Sequence, residues 1–261
     1  MLLADLRERE SLAVAFSGGV DSTLLLHAAH EALGDNACAI TVKSHVLAPT
    51  DLSDAESFCE AHGIRQIILE IDEFSIPGFK QNPPDRCYLC KKGIFREILE
   101  AAARHGFAQV AEGSNVDDLS DYRPGNRAIK ELGIASPLLQ AGLTKDEIRQ
   151  LSHELGLPTW NKPSAACLAS RFAYGEEISV EGLVMVAQAE AWLRERGFRQ
   201  LRVRVHGKLA RIEVEPERVG ELMQEPLRSD TVRRLKEIGF QYVTVDLAGY
   251  RMGSMNEALP R

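Results

Sequence analysis

The first strand–helix junction constrains this chain more than any other stretch. Leu12-Ala13-Val14-Ala15 is a short apolar run that reads as a buried strand. Phe16-Ser17-Gly18-Gly19-Val20-Asp21-Ser22 follows, and Thr23-Leu24-Leu25-Leu26-His27-Ala28-Ala29 continues as a helix. Strand, glycine turn and helix N-terminus together aim several backbone N–H groups and the positive helix end at one point, which suits an anion. Gly18 and Gly19 supply unusual backbone angles and allow close approach. Ser17 and Ser22 add hydroxyl donors, and Asp21 fits beside a phosphate only with a divalent cation between them. The lysine of a Walker-type loop is missing. The plainer alternative is a turn that merely joins strand to helix.

The rest of the first half repeats the alternation. Residues 12–16, 37–42, 65–71 and 107–112 read as strands, and 20–33, 51–62 and 91–105 as helices. That order predicts an α/β fold with a parallel sheet covered on both faces. Ligands in such sheets bind at the carboxyl ends of the strands. The polar segments fall there: Ser17 to Ser22 after the first, Lys43-Ser44-His45 after the second, and Gly113-Ser114-Asn115 after the fourth. Asp117, Asp118 and Asp121 read more readily as a solvated loop than as a metal site. A helix over 144–155 carries a Thr144/Glu147 capping box and stops at Gly156. After an irregular stretch from Pro158 to Gly175 the pattern becomes helix, two hairpin strands, helix, strand, ending at Asp246. This predicts a division into residues 1–172 and a smaller α+β domain over 173–261.

A chain of 261 residues with 44% hydrophobic and 26% charged residues has the balance of a globular protein. No apolar run is long enough for a membrane span, and the charged, helical start is unlike a signal peptide, so a cytoplasmic protein without a membrane partner is expected. A net charge of -7 argues against a large nucleic-acid partner. Five cysteines in a reducing compartment point to thiol or metal chemistry rather than a disulfide framework. Cys38 and Cys59 fit packing roles inside a strand and on a helix face. Cys87 and Cys90, three apart at the start of a helix, can face one metal, form a redox pair, or be incidental thiols. Cys167 lies among small residues with Lys162 and Arg171 nearby in sequence, and such cations favour a thiolate; the alternative is a small core residue.

Ser17-Gly18-Gly19-Val20-Asp21-Ser22 resembles the loop of the N-type (PP-loop) ATP pyrophosphatases, which implies cleavage of ATP between the α- and β-phosphates. Together with Lys162-Pro163-Ser164-Ala165-Ala166-Cys167-Leu168-Ala169-Ser170-Arg171-Phe172, and with Arg202-Val203-Arg204-Val205-His206-Gly207 followed by Ala210-Arg211-Ile212-Glu213-Val214, it is similar over nearly the whole chain to the LarE family. The fold implied is an adenine-nucleotide α-hydrolase-like domain with a small C-terminal α+β domain. LarE-type proteins are ATP-dependent sulfur transferases of nickel-pincer nucleotide cofactor synthesis. The resemblance implies that the carboxylate of a pyridinium mononucleotide is adenylated and then converted to a thiocarboxylate.

Two sulfur sources are known in the family: sacrifice of a lone cysteine at the position of Cys167, or a [4Fe-4S] cluster on three cysteines. Cys87, Cys90 and Cys167 match the second pattern, which requires an external sulfide source. By the same resemblance, the cofactors are ATP and Mg2+. Asp21 would hold the magnesium, and Ser17, Gly18, Gly19 and Ser22 the phosphates. Val42, Lys43, Ser44 and Gly113 would line the rest of the nucleotide site. Tyr88, Lys92, Arg171, Glu190, Arg202 and Arg204 would meet the substrate, and a homo-oligomer is expected. Arg202 and Arg204, at i and i+2, share one strand face, which suits a phosphate or carboxylate but also an ordinary polar face. A tRNA-thiolation enzyme would bring a more basic surface, an amide ligase of the same superfamily has no use for the three cysteines, and a non-enzymatic nucleotide sensor would release no pyrophosphate.

Overall fold

The computed structural model describes residues 1–47, 49–119, 124–163, 167–251 and 253. The sequence-based Asp121 and Ser164–Ala166 lie outside them. By packing, the chain forms two compact units: Met1–Pro77 with Asp85–Ala165, and Gly78–Pro84 with Ala166–Arg261. The division read from composition at 172/173 makes no allowance for the short segment Gly78–Pro84.

In the first unit α1 (Leu2–Arg7) precedes β1 (Leu12–Ala15), α2 (Val20–Leu33), β2 (Ala37–Lys43), α3 (Pro49–Ala61) and β3 (Gln66–Glu70). Then come α4 (Arg86–Arg104), β4 (Gln109–Ala111), α5 (Gly125–Glu131), α6 (Pro137–Gln140) and α7 (Lys145–Glu154). The four strands run parallel in the order β3-β2-β1-β4. β1 therefore has β2 on one side and β4 on the other, and the strand order reverses there. The carboxyl ends of β1 and β4 form the crevice where such sheets bind ligands. Because helices cover both faces, β1 is apolar throughout; Leu12, Ala13 and Val14 are fully buried. Leu24, Leu25 and Leu26 carry α2 into the core on one face of the sheet, with Phe16 and Phe58. Phe95, Ile98 and Ala102 of α4 close the other face.

Strand positions agree with the periodicity. α4 starts at Arg86, ahead of the periodic stretch read over 91–105, and carries Cys87 and Cys90 in its first turns, the helix start expected for the pair. Asp85, just after Pro84, is its N-cap. α5 and α6 are too short to show a periodic pattern.

The second unit holds α8 (Val180–Glu195), β5 (Arg202–His206), β6 (Leu209–Glu213), α9 (Val219–Leu222), α10 (Leu227–Ile238) and β7 (Tyr242–Val245). β5 and β6 form the expected antiparallel hairpin, and β7 pairs parallel with β6. Gly78–Pro84 joins this unit through main-chain bonds from Ile178 N to Lys80 O and from Gly175 N to Asn82 O, both 2.9 Å. Asn82, fully buried with φ 52°, donates from Nδ2 to Ala173 O at 2.7 Å.

Candidate active site

The loop after β1 is built by its own hydroxyls. Ser22 Oγ donates to Gly19 O at 3.2 Å and accepts from Ser17 N at 3.3 Å, and the two hydroxyl oxygens lie 3.1 Å apart. Gly18 turns the chain at φ 68°, where a side chain would be strained. Gly19 is the N-cap of α2, so the free N–H groups of the first helical turn open beside the loop.

Asp21, in that first turn, is gripped from two distant segments. Asn115 Nδ2 donates to Oδ1 at 3.1 Å, and the Lys145 ammonium pairs with Oδ2. Asn115 is itself fixed: its N–H donates to Asp118 Oδ2 at 3.1 Å, and its Oδ1 accepts from Asp117 N at 3.0 Å. Lys162 Nζ donates to Gly18 O at 3.2 Å and to Asp54 Oδ2 at 2.8 Å. Gly113 is where the second strand end meets the loop. A Cβ there would come 3.0 Å from Ser22 N and 3.2 Å from Asp21 C, so its missing side chain lets α2 start against β4. Glu112, beside it, accepts from Ser114 N, Ser114 Oγ and Ser136 Oγ at 2.8–3.0 Å.

At the end of β2, Lys43 pairs with Glu70 at 2.6 Å across the sheet edge, and that hydrogen bond raises the lysine pKa. Val42 is half-buried opposite Leu69. Ser44 Oγ is buried with no hydrogen-bond partner among the described residues. An orphaned hydroxyl at this strand end is a polar group available to a nucleotide.

Cys87 and Cys90 are half-exposed, and Arg86 Nη2 lies 3.5 Å from Cys87 Sγ. Tyr88 and Lys92, one turn apart, are both held by α5. Lys92 Nζ donates to Glu131 Oε2 and to Tyr88 Oη, each at 2.7 Å, and the Arg127 guanidinium lies 3.6 Å from the Tyr88 ring centre. The hydrogen bonds that Lys92 donates to Glu131 and then to Tyr88 raise its pKa, and those that Glu131 accepts from Lys92 and Tyr88 lower that of the carboxyl.

In the second unit Cys167 is half-exposed at the start of a short 3-10 turn. Arg171 donates to its carbonyl at 3.1 Å and forms a two-bond fork with Glu190 at 2.8 and 2.9 Å, both side chains buried. Glu190 also takes Arg194 at 2.7 Å and Val203 N at 3.1 Å. Arg204 makes the same fork on buried Glu213, at 2.7 and 3.0 Å, and donates to Ser170 O at 2.9 Å. Arg202 stands apart: it has no carboxylate partner among the described residues and lies 5.0 Å from the Tyr250 ring centre. Burial, then the charges of Arg171 and Arg204, lower its pKa.

The first unit thus brings together Ser17–Ser22 and Gly113, and the second gathers Cys167, Arg171, Glu190 and Arg204. Sequence reasoning passed over Lys145, Glu112, Glu131 and Arg127. Lys145, Glu131 and Arg127 act through partners far along the chain, and Glu112 ties its neighbour Ser114 to Ser136, 24 residues on.

The PP-loop domain family model matches residues 1–122. An uncharacterized protein of Synechocystis sp. is 44% identical over 97% of this chain and 95% of its own length. The pyridinium-3,5-bisthiocarboxylic acid mononucleotide synthase of Lactiplantibacillus plantarum is 38% identical over 100% of this chain and 94% of its own. A tRNA-specific 2-thiouridylase of Rickettsia felis is 28% identical over 60% of this chain and 53% of its own. A PP-loop at the switch point of a parallel sheet, with full-length identity at this level, fixes the assignment: the chain belongs to the LarE family of PP-loop proteins.

Proposed function

We propose that this chain is an ATP-dependent sulfur transferase that turns the carboxylate of a pyridinium mononucleotide into a thiocarboxylate, in nickel-pincer nucleotide cofactor synthesis. The observation that carries this reading is the 38% identity, end to end, to the named synthase.

The thiol inventory supports it. Burial pushes Cys38 up to about 12 and Cys59 up to about 11, which keeps them as inert thiols. The three half-exposed cysteines are Cys87, Cys90 and Cys167.

The loop N–H groups and the start of α2 hold the phosphates of ATP. Asp21, a hard oxygen ligand beside them, suits Mg2+, which when bound offsets charge on the pyrophosphate leaving group. Ser44 and Val42 meet the adenine side. The substrate carboxylate attacks the α-phosphorus, the bond to pyrophosphate breaks, and an acyl adenylate forms. Hydrosulfide then attacks the acyl carbon, the bond to AMP breaks, and a thiocarboxylate remains after loss of the sulfur proton. By the family resemblance, Cys87, Cys90 and Cys167 would hold a [4Fe-4S] cluster, which would supply the sulfide for that attack. Arg202, which has no carboxylate partner among the described residues, binds a substrate anion. Arg171 and Arg204 stand beside it, already paired with Glu190 and Glu213. Tyr88 and Lys92 meet the ring and carboxylate.

The test is an anaerobic reaction of ATP, sulfide and the dicarboxylated pyridinium mononucleotide, followed by mass spectrometry of the small molecules. Pyrophosphate, AMP and a product with sulfur in place of carboxylate oxygen are expected. Pyrophosphate release that depends on tRNA or on an amine donor, and not on the mononucleotide, would overturn the reading.

A further inference from the structure

Where β2 and β3 leave the sheet of the first unit, three side chains with metal-binding atoms converge. The sheet register sets this up. Lys43 lies opposite Glu70, and Ile71 N donates to Lys43 O at 3.1 Å, so the two strands leave the sheet side by side. His45 follows on one chain, and Asp72 and Glu73 follow on the other. His45 Nδ1 is 3.3 Å from Glu73 Oε2 and 4.0 Å from Asp72 Oδ1. One ligand atom from each of the three lies within 4.8 Å of the others.

Glu73 is the anchor. Its side chain is fully buried, and Oε1 accepts from Val46 N at 2.7 Å. Oε2 meets His45, and among the described residues no lysine or arginine pairs with this carboxylate. A buried carboxylate without an opposite charge is expensive. Asp72 is held as the cap of the 3-10 turn Glu73–Ser75, accepting from Phe74 N at 3.0 Å. The Phe74 ring stands edge-on to the His45 ring, with centroids 5.6 Å apart, and limits its rotation.

Two carboxylates face one imidazole. An imidazolium would offset one negative charge, whereas a dication offsets both. Ligand atoms about 2.0–2.2 Å from one tetrahedral ion stand roughly 3.3–3.6 Å apart. The His45–Glu73 spacing fits this as it stands, and the Asp72 side chain, 60% exposed, has room to close the rest. One imidazole nitrogen with two carboxylate oxygens suits zinc, while magnesium and calcium take oxygen ligands. His45 and Asp72 are exposed, so a fourth position opens to water.

We propose that His45, Asp72 and Glu73 form a zinc site that ties the exit of β2 to the exit of β3, with water as fourth ligand. The proposal does not rest on the sulfur-transfer reading and can fail without it.

The experiment is calorimetric titration of Zn2+ into the EDTA-treated, nucleotide-free full chain. Thiols also bind zinc, so wild type is compared with Cys87→Ala/Cys90→Ala/Cys167→Ala, and His45→Gln and Asp72→Asn are made in both backgrounds. Gln keeps a hydrogen-bonding group near Glu73, and Asn keeps the acceptor for Phe74 N. One zinc per chain should bind in the thiol-free background. Either substitution should weaken it about a hundredfold or more, beyond the 10–100-fold that loss of a group merely orienting a ligand costs. Zinc binding that disappears with the thiols, or that His45→Gln and Asp72→Asn leave unchanged, overturns the proposal. Circular dichroism melts establish that each variant is folded, and His45→Asn or Asp72→Ser replaces one that is not.

Discussion

The two units handle anions and charge in opposite ways. In the first, the anion site is made from main chain: a glycine turn, a helix N-terminus and hydroxyls that bond within the loop. In the second, the proposed site is lined by arginines, and most are already neutralised. Arg171 and Arg194 share Glu190, and Arg204 and Arg211 share Glu213, while Arg202 has no carboxylate partner among the described residues. A backbone site depends on fixed φ angles and close approach. A buried side-chain site depends on every charge keeping its partner, because one uncompensated charge is expensive.

The largest effect should come from breaking the second kind of site. Glu190→Ala strands buried Arg171, and unfolding in denaturant should show a loss of about 3–5 kcal/mol. The pH dependence has the matching sign. Burial raises the Glu190 pKa, but the charge and hydrogen bonds of Arg171, the charge of Arg194 and the Val203 N–H outweigh that, so the folded value lies below the ordinary 4.5. A depressed folded value means that stability is fully present above 4.5 and is lost as pH falls below it. Glu190→Gln should flatten that acid limb of the stability curve, measured between neutral pH and the acid transition.

Next in size is the chemistry of the backbone site. Asp21→Ala should reduce pyrophosphate release by about 10²–10³-fold while the denaturation midpoint holds, since Asp21 positions charge rather than filling the core. Gly113→Ala tests the same site sterically. The new Cβ meets main-chain atoms of Ser22 and Asp21 that have no side-chain freedom to give way. A loss of about 1–3 kcal/mol in stability, with weaker ATP binding by calorimetry, is expected. The smallest effect belongs to the exposed network on α4 and α5. Glu131→Gln should move the thermal midpoint by about 2 °C or less, because solvent screens the Lys92 pair.

What was legible in the sequence follows the same contrast. Ser17 to Ser22 could be read directly, because strand, turn and helix start are consecutive residues and the glycines announce the backbone geometry. The parallel sheet followed from strand and helix spacing. Arg204 illustrates where reading stops. Period-2 alternation places it beside Arg202 on one polar face, yet Arg204 is 8% exposed because Glu213 on the neighbouring strand neutralises it. Alternation reports which face a residue occupies and carries no information about its partner. Lys145 went unseen for the same reason: its neighbours announce a helix cap, and only the fold brings it to Asp21. Gly78–Pro84 was unreadable as part of the second unit, since its partners lie near residues 173–178.

The central claim is that sulfur is delivered repeatedly to a carboxylate activated at the Ser17–Ser22 loop, through Cys87, Cys90 and Cys167. The most direct measurement is the intact mass of the polypeptide after several anaerobic turnovers with ATP, sulfide and the mononucleotide. The account predicts more thiocarboxylate than protein and an unchanged polypeptide mass. A single equivalent of product, with the elements of hydrogen sulfide missing at Cys167, would contradict it.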